Sequence, residues 1–271
     1  LKPAFLKVNF ESEVNFPDFK YEFVNLQGIK YLNQFKMKTL YLGLFIIAVG
    51  FSSCLTGSKN NTLTKKEIKE GWELLFDGQS LDKWKMFNGG EVTGWKIVDG
   101  EMHNSGVGSD HGGDIVTKKQ YENFELYVEW KVAPQSNSGI FIHVQEGITD
   151  AIYESGPEYQ LIDDKGWPEK LEDSQYSGAN YAMNAPHDAK VAALDEWNKT
   201  KIVVQNPHVE HWLNGKKVVE YDLWTDEWNT LKAAGKWAES PHYGEAKSGH
   251  IGLQDHGGLT MFRNFKIREI K

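Results

Sequence analysis

From Trp72 to the C-terminus, apolar and polar side chains alternate with a period of two, interrupted by turn signals. Phe124, Leu126, Val128, Trp130 and Val132 take one face of a strand, while Glu125, Tyr127, Glu129 and Lys131 take the other. Ile140, Ile142 and Val144 alternate in the same way with Phe141, His143 and Gln145. Further alternating runs lie near Trp95–Val98, Glu158–Ile162, Trp197–Val204, Val209–Leu213, Gly249–Gln254 and Thr260–Ile270. Asn88-Gly89-Gly90, Asp99-Gly100, Asn214-Gly215 and His256-Gly257-Gly258 punctuate them, and Trp212–Val218 is the clearest hairpin. Only Asp195–Lys199 and Asp226–Lys236 suggest short helical turns.

Strands of this kind hide one face each, so two sheets must pack against each other. Many short antiparallel strands without crossover helices mean an all-β domain. About 200 residues suit a jelly-roll sandwich of two antiparallel sheets better than a smaller immunoglobulin-like one. No internal repeat is visible, which disfavours a propeller. Composition removes other classes. The single Cys excludes a disulfide scaffold and any Cys-rich zinc module. A net charge of −8 leaves no basic face for nucleic acid, and 40% hydrophobic residues are too many for a disordered chain.

The first seventy residues differ chemically from the rest. No Trp precedes Trp72 and no His precedes His103. Met37-Lys38 leads into the 13-residue apolar run Thr39–Phe51 and then Ser52-Ser53-Cys54. A basic start, a short apolar stretch and small residues before a cut site describe a secretory signal. The run is shorter than the ~20 residues of a spanning helix. Small residues directly before a lone Cys resemble a bacterial lipobox, with Cys54 as the lipidated first residue of an exported, cell-envelope lipoprotein. Residues 1–36 read as an upstream extension of the reading frame, 37–54 as the signal, 55–70 as a polar tether, and 71–271 as the sandwich domain. Residues 1–53 hold six Lys against four acidic residues, so the remainder carries −10. Such a domain is expected to meet a membrane through a lipid anchor only.

Few segments carry recognisable chemistry. His208 and His211 resemble a metal-ligand pair, but on a strand positions i and i+3 face opposite sides. His111-Gly-Gly-Asp114 and Asp255-His256 sit in loops and are weak signals singly. No nucleophile elbow and no phosphate-binding loop is present. Glu158-Tyr159-Gln160 is more informative: on a strand, Glu158 and Gln160 share a face about 6.6–7 Å apart. A carboxylate beside an amide suits proton transfer with a hydrogen-bonding neighbour, although an exposed polar strand face has the same pattern. Asn137-Ser138-Gly139 opens the preceding strand, and His143, Gln254, His256 and Arg263 are expected to converge with Glu158 and Gln160 if their strands are neighbours. Trp130 and Trp95 read as core, whereas Trp167, in a loop after the acidic strand, is the groove candidate.

An ordered series of motifs adds to this. Leu75–Trp84, Asn123-Phe124-Glu125-Leu126, Asn137–Phe141, Glu158-Tyr159-Gln160, Glu196-Trp197-Asn198, His211–Gly215, Ile251–Gly257 and Phe262-Arg263-Asn264 together resemble the 3-keto-disaccharide hydrolase family. The resemblance spans about Trp72 to Ile270. It implies a concanavalin-like jelly roll acting on sugars oxidised at C3, as a glycoside hydrolase or as a lyase and hydratase. A ketone at C3 acidifies the C2 proton, so a modest base can remove it, the C1 substituent is expelled, and water adds back. The implied substrate is an oxidised glycoside or disaccharide, supplied by a separate sugar C3-dehydrogenase. By the resemblance Glu158 is the base, with His143 or His256 as acid or metal ligand. Asn137, Gln160, Trp167, Gln254 and Arg263 bind substrate. A divalent metal would lower the enolate's energy, but no ligand set can be read from spacing. The sequence departs from many members at His143, where they carry Arg, and at Asn180, where they carry Leu.

Two other functions fit the same pattern. One is a retaining endo-glucanase, for which Asp163 would have to stand about 5–5.5 Å from Glu158. The other is a carbohydrate-binding lipoprotein that holds a glycan without turning it over.

Overall fold

A computed structural model of the chain describes residues 59–104, 106 and 113–271. The proposed frame extension, the signal, Cys54 and His111 lie outside the described residues. Among the described residues no helix is long and apolar enough to cross a membrane.

The alternating runs form two antiparallel sheets. The larger runs in the order β11 (Lys216–Asp222), β10 (His208–Leu213), β9 (Asn198–Gln205), β6 (Phe124–Val132), β13 (Thr260–Glu269), β4 (Glu101–His103) and β3 (Lys96–Val98). The short β1 (Glu73–Leu74) also pairs with β13. The smaller sheet runs β2 (Trp84–Met86), β5 (Ile115–Tyr121), β12 (Gly249–Leu253), β7 (Asn137–Val144) and β8 (Glu158–Ile162). This is the two-sheet jelly roll that the alternation calls for, and the concanavalin-like fold that the resemblance implies.

Between the sheets lies one continuous core. Phe124, Leu126, Val128 and Trp130 of β6 are fully buried, together with Ile140, Ile142, Leu161, Ile251 and Leu253 from the smaller sheet. The Trp130 indole donates to Thr200 Oγ1 at 2.9 Å and Trp84 to the Leu75 carbonyl at 2.9 Å, so the polar ends of both rings stay paired inside. Trp95 is core as well. At the β10–β11 hairpin, Asn214 and Gly215 take φ of 50° and 85°, the left-handed pair that a two-residue turn needs.

Three local expectations change. Asp195–Lys199 is not helical: Asn198 already opens β9, which pairs on both sides with β10 and β6. Strand pairing in the middle of a sheet outweighs a local helical preference. From residue 59 onward, the segment expected as a tether belongs to the folded domain. It carries α1 (Lys65–Lys69), and Asn61 exchanges two hydrogen bonds of 2.7 Å with Asn264 of β13.

The third change is in β7. Between Phe141 and Val144 it holds one residue more than β12 does opposite, so it bulges. His143 takes a φ of 53° there, and the side chains beyond it change face. Gly249 makes the bulge possible, since a Cβ on it would stand 2.4 Å from the His143 carbonyl carbon.

The free edge of β8 is covered rather than exposed. Residues 178–181 run beside it, with Gly178 N–H donating to the Gln160 carbonyl and Tyr181 N–H to the Glu158 carbonyl. Helix α2 (Asp226–Ala234), capped by the Thr225 side chain, docks through Trp228. A column of stacked rings, Tyr221, Trp228, Tyr243 and Trp237, continues from it.

Candidate active site

Residues directly opposite one another in an antiparallel pair share a sheet face. Phe141 lies opposite Glu158, Gly139 opposite Gln160, and Gly252 opposite Phe141. These positions form the face of the smaller sheet that looks away from the core. At its β8 end is a cavity of about 170 Å³, lined by Asn137, Glu158, Gln160, Gln254 and His256 from the sequence-derived set. Tyr153, Tyr181 and Lys236 complete the lining.

Glu158 is 5% exposed, and no described residue donates a hydrogen bond to its carboxylate. Burial pushes its pKa up to about 8; the charge of Lys236 opposes that rise and Asp114 adds to it. The carboxylate rests on Gly139, where a Cβ would stand 2.3 Å from Oε1. Gln160 Oε1 accepts from the Leu161 N–H at 2.9 Å, and no described residue accepts from its amide nitrogen. Asn137 Oδ1 is buried and finds no partner among the described residues. The Gln254 N–H donates to the Gly139 carbonyl at 3.1 Å, which ties the end of β12 to β7. Trp167 stands edge-on to His256 with ring centroids 6.3 Å apart, so it forms the rim rather than the lining. The arrangement joins one hydrogen-bond-starved carboxylate to amide groups in a space near the size of one sugar ring.

Two expected members lie elsewhere. His143 is 1% exposed and edge-on to Phe124, with Nε2 2.8 Å from the Glu122 carbonyl. The bulge turns it to the core side, the sheet face opposite Glu158, and burial lowers its pKa. Arg263 is on β13 in the other sheet. Its neighbour Phe262 fills the core, so alternation sends Arg263 outward, where Nε donates to Glu129 at 2.8 Å and the guanidinium covers Trp197.

The second carboxylate of the glucanase reading is also committed. Asp163 accepts backbone N–H groups from Gln135, Gly166 and Lys165, which hold its pKa down, and it does not line the cavity. Asp114 accepts the Asp255 N–H and Asp255 accepts from Asn104, and neither lines the cavity. His208 and His211 do face opposite ways. His211 Nδ1 lies 3.0 Å from the Gly178 carbonyl inside the core, where burial pulls its pKa down to about 4. His208 instead groups with Glu210 and Glu220 on the outside of the larger sheet. There Lys217 bridges the two carboxylates, at 3.1 and 2.5 Å.

Lys236, Tyr153 and Tyr181 are the lining residues that alternation did not reveal. All three come from connections between strands, where period-two reasoning has nothing to say. The Gly235-Lys236-Trp237 break after a helical run was the available signal, but it does not say which wall the lysine meets.

A jelly roll with a buried carboxylate among amide donors, opening beside a half-buried tryptophan, defines a carbohydrate-active enzyme. The comparisons agree. The 3-keto-alpha-glucoside-1,2-lyase-like domain matches residues 71–268, and the chain belongs to that family. A Bacteroides thetaiotaomicron 3-keto-disaccharide hydrolase is 33% identical over 252 residues, covering 82% of this chain and 86% of the relative. A crystal structure of a candidate glycosyl hydrolase from Parabacteroides distasonis is 42% identical, with a TM-score of 0.75, covering 79% of this chain and 100% of that one. A second candidate glycosyl hydrolase from that organism is 30% identical with a TM-score of 0.59, covering 73% and 99%.

Proposed function

We propose that the chain cleaves glycosides oxidised at C3, by removing the C2 proton, expelling the C1 substituent and adding water. The observation that carries this is the buried carboxylate of Glu158, unpaired by any described donor and alone among carboxylates in the described cavity lining. A retaining glycosidase needs two carboxyl groups about 5–5.5 Å apart, an arrangement that the described lining residues do not supply. An elimination needs one base.

Burial makes Glu158 a stronger base than an ordinary carboxylate, because its charged form is the one desolvation penalises. It takes the C2 proton, and the C2–H electron pair becomes the C2=C3 bond of an enolate. That enolate collapses to a C1=C2 double bond as the C1–O bond breaks, and the leaving oxygen takes a proton. We assign that proton to His256, which lines the cavity beside Trp167. Water then adds its hydroxyl at C1 and gives its remaining proton back to His256, and the proton on Glu158 returns to C2, so the sum is hydrolysis. Gln160, Asn137 and Gln254 hold ring hydroxyls, and Trp167 offers its face to the departing group.

Because the substrate is itself an oxidation product, a separate sugar C3-dehydrogenase must supply it. We place the enzyme in the cell envelope on the strength of the signal and Cys54; palmitate labelling that survives Cys54→Ser would overturn that placement.

The deciding assay pairs a native glucoside with its C3-oxidised form. Turnover of the oxidised one alone, lost in Glu158→Gln by ~10²–10⁴-fold, is expected. Release of sugar from an unoxidised β-glucan would instead establish a glucanase, and binding of both glucosides without turnover a carbohydrate-binding protein.

A further inference from the structure

Most ammonium groups near carboxylates in this protein are paired with them: Lys85 with Glu146, Lys216 with Asp188, Lys217 with Glu210 and Glu220, Lys232 with Glu245. Lys236 is different. Among the described residues no carboxylate lies within ion-pair distance of it. Its ammonium stands over aromatic faces instead, 4.6 Å from the Tyr181 centroid, 4.9 Å from Trp237 and 5.7 Å from Tyr153. Ring faces attract a cation through their quadrupole without cancelling its charge. The net positive charge therefore stays available to whatever enters the cavity that Tyr181 and Tyr153 also line.

The cage is built from several directions. Trp237 is fully enclosed, stacked on Tyr243 at 4.3 Å, and its indole N–H donates to the Tyr181 carbonyl at 3.1 Å. Tyr181 in turn is tied to β8 through its N–H and the Glu158 carbonyl at 3.0 Å. One hydrogen bond thus joins the backbone that carries Glu158 to the residue whose ring faces the ammonium. Lys236 shares the cavity wall with Glu158, and its field is felt there.

We propose that Lys236 is a catalytic residue of this site, a proton-bearing ammonium that receives the negative charge developing on the C3 oxygen as the C2 proton leaves. This rests on the C3-ketone reading above. No covalent bond to the lysine forms; its N–H donates to the oxygen and keeps its proton throughout. The charge that appears on the enolate is the one that leaves the Glu158 carboxylate on protonation. The ammonium therefore faces one negative charge before and after the step, which shifts from the carboxylate to the oxygen. A preorganised donor aimed at developing charge contributes about 10²–10³-fold in rate.

The test uses Lys236→Met and Lys236→Arg in the full chain, each checked for an unchanged melting temperature at low pH. Without substrate, the Glu158 carboxyl is followed by ¹³C NMR of glutamate-labelled protein, with Glu158→Gln identifying its signal. Lys236→Met should move that titration to higher pH, and Lys236→Arg should leave it near the wild-type position. With the C3-oxidised glucoside, Lys236→Met should lower kcat by about 10²–10³-fold with KM changed less than threefold, and Lys236→Arg should recover at least tenfold of the loss. An unmoved titration together with an unchanged kcat overturns the proposal, as does a loss confined to KM. If the wild-type chain turns over no oxidised glycoside, the substrate reading fails and the enolate role fails with it. The substrate-free titration still reports separately whether the two side chains share one field.

Discussion

Glu158 has a measurable stability cost in the absence of any substrate. Its ordinary carboxyl value of 4.5 is raised to about 8 in the folded chain, so between those values the folded state holds a proton that the unfolded state has released. Stability therefore falls as pH rises from 4.5 to 8, by roughly 5 kcal/mol in all at about 1.4 kcal/mol per pH unit. Glu158→Gln should remove that slope: melting scans at pH 8 are expected to show the inactive variant more stable than the parent, and scans at pH 4 nearly equal. The same ionisation governs rate, because only the carboxylate is a base, so kcat/KM should rise with pH up to about 8. Gly139→Ala would put a methyl group 2.3 Å from Glu158 Oε1. We expect a loss of ~1–3 kcal/mol in urea titration and a kcat loss out of proportion to it, since the carboxylate must move. Arg263→Ala, on the other sheet, should leave kcat and KM unchanged and lower stability by ~2–3 kcal/mol, because it removes a ring contact and leaves the largely buried Glu129 carboxylate without its ion-pair partner. The Glu158 and Gln160 pair was legible because it rests on strand alternation alone. His143 was misread for the same reason in reverse: a single extra residue in β7 inverts the phase, and alternation gives no warning of it.

At the scale of elements, one wall of the site hangs on the aromatic column that starts at α2. Trp237 is the end of that column and the anchor of Tyr181. Trp237→Ala should cost ~3–5 kcal/mol, read from the urea midpoint, and should raise KM as Tyr181 loses its hold. Most strands that alternation assigns lie close to the observed ones, and β8 runs over Glu158–Ile162, the span assigned to it, but the short β1, β2 and β4 and the interior strand β5 carry no run that alternation picked out. Connections were not. The 178–184 segment and the stretch after α2 have no periodicity, and their positions follow from contacts with β8 and with the column rather than from anything local.

At the scale of the molecule, the cavity depends on strands distant in the chain. Asn137 comes from β7, Glu158 and Gln160 from β8, and Gln254 from the end of β12. The larger sheet supports them without contributing a lining residue. Its own boundary reaches further back than the family match, since Asn61 and Glu67 bind Asn264 and Lys266 of β13. A chain starting at Gly71 should therefore unfold at lower urea, by ~2–3 kcal/mol for two partly buried hydrogen bonds and a partly buried ion pair, while keeping kcat for the oxidised substrate.

The order of apolar and polar residues by itself determined the sandwich, most of its longer strands and the face shared by Glu158 and Gln160, because a strand's two faces are set by its own backbone. Eight ordered motifs further identified the family. Tertiary structure alone decided which faces meet. It put His143 in the core through a bulge, sent Arg263 to the far sheet, and brought Lys236 to the cavity through ring stacking. Pairing order and loop paths depend on contacts between residues far apart in the chain, and no local pattern records them.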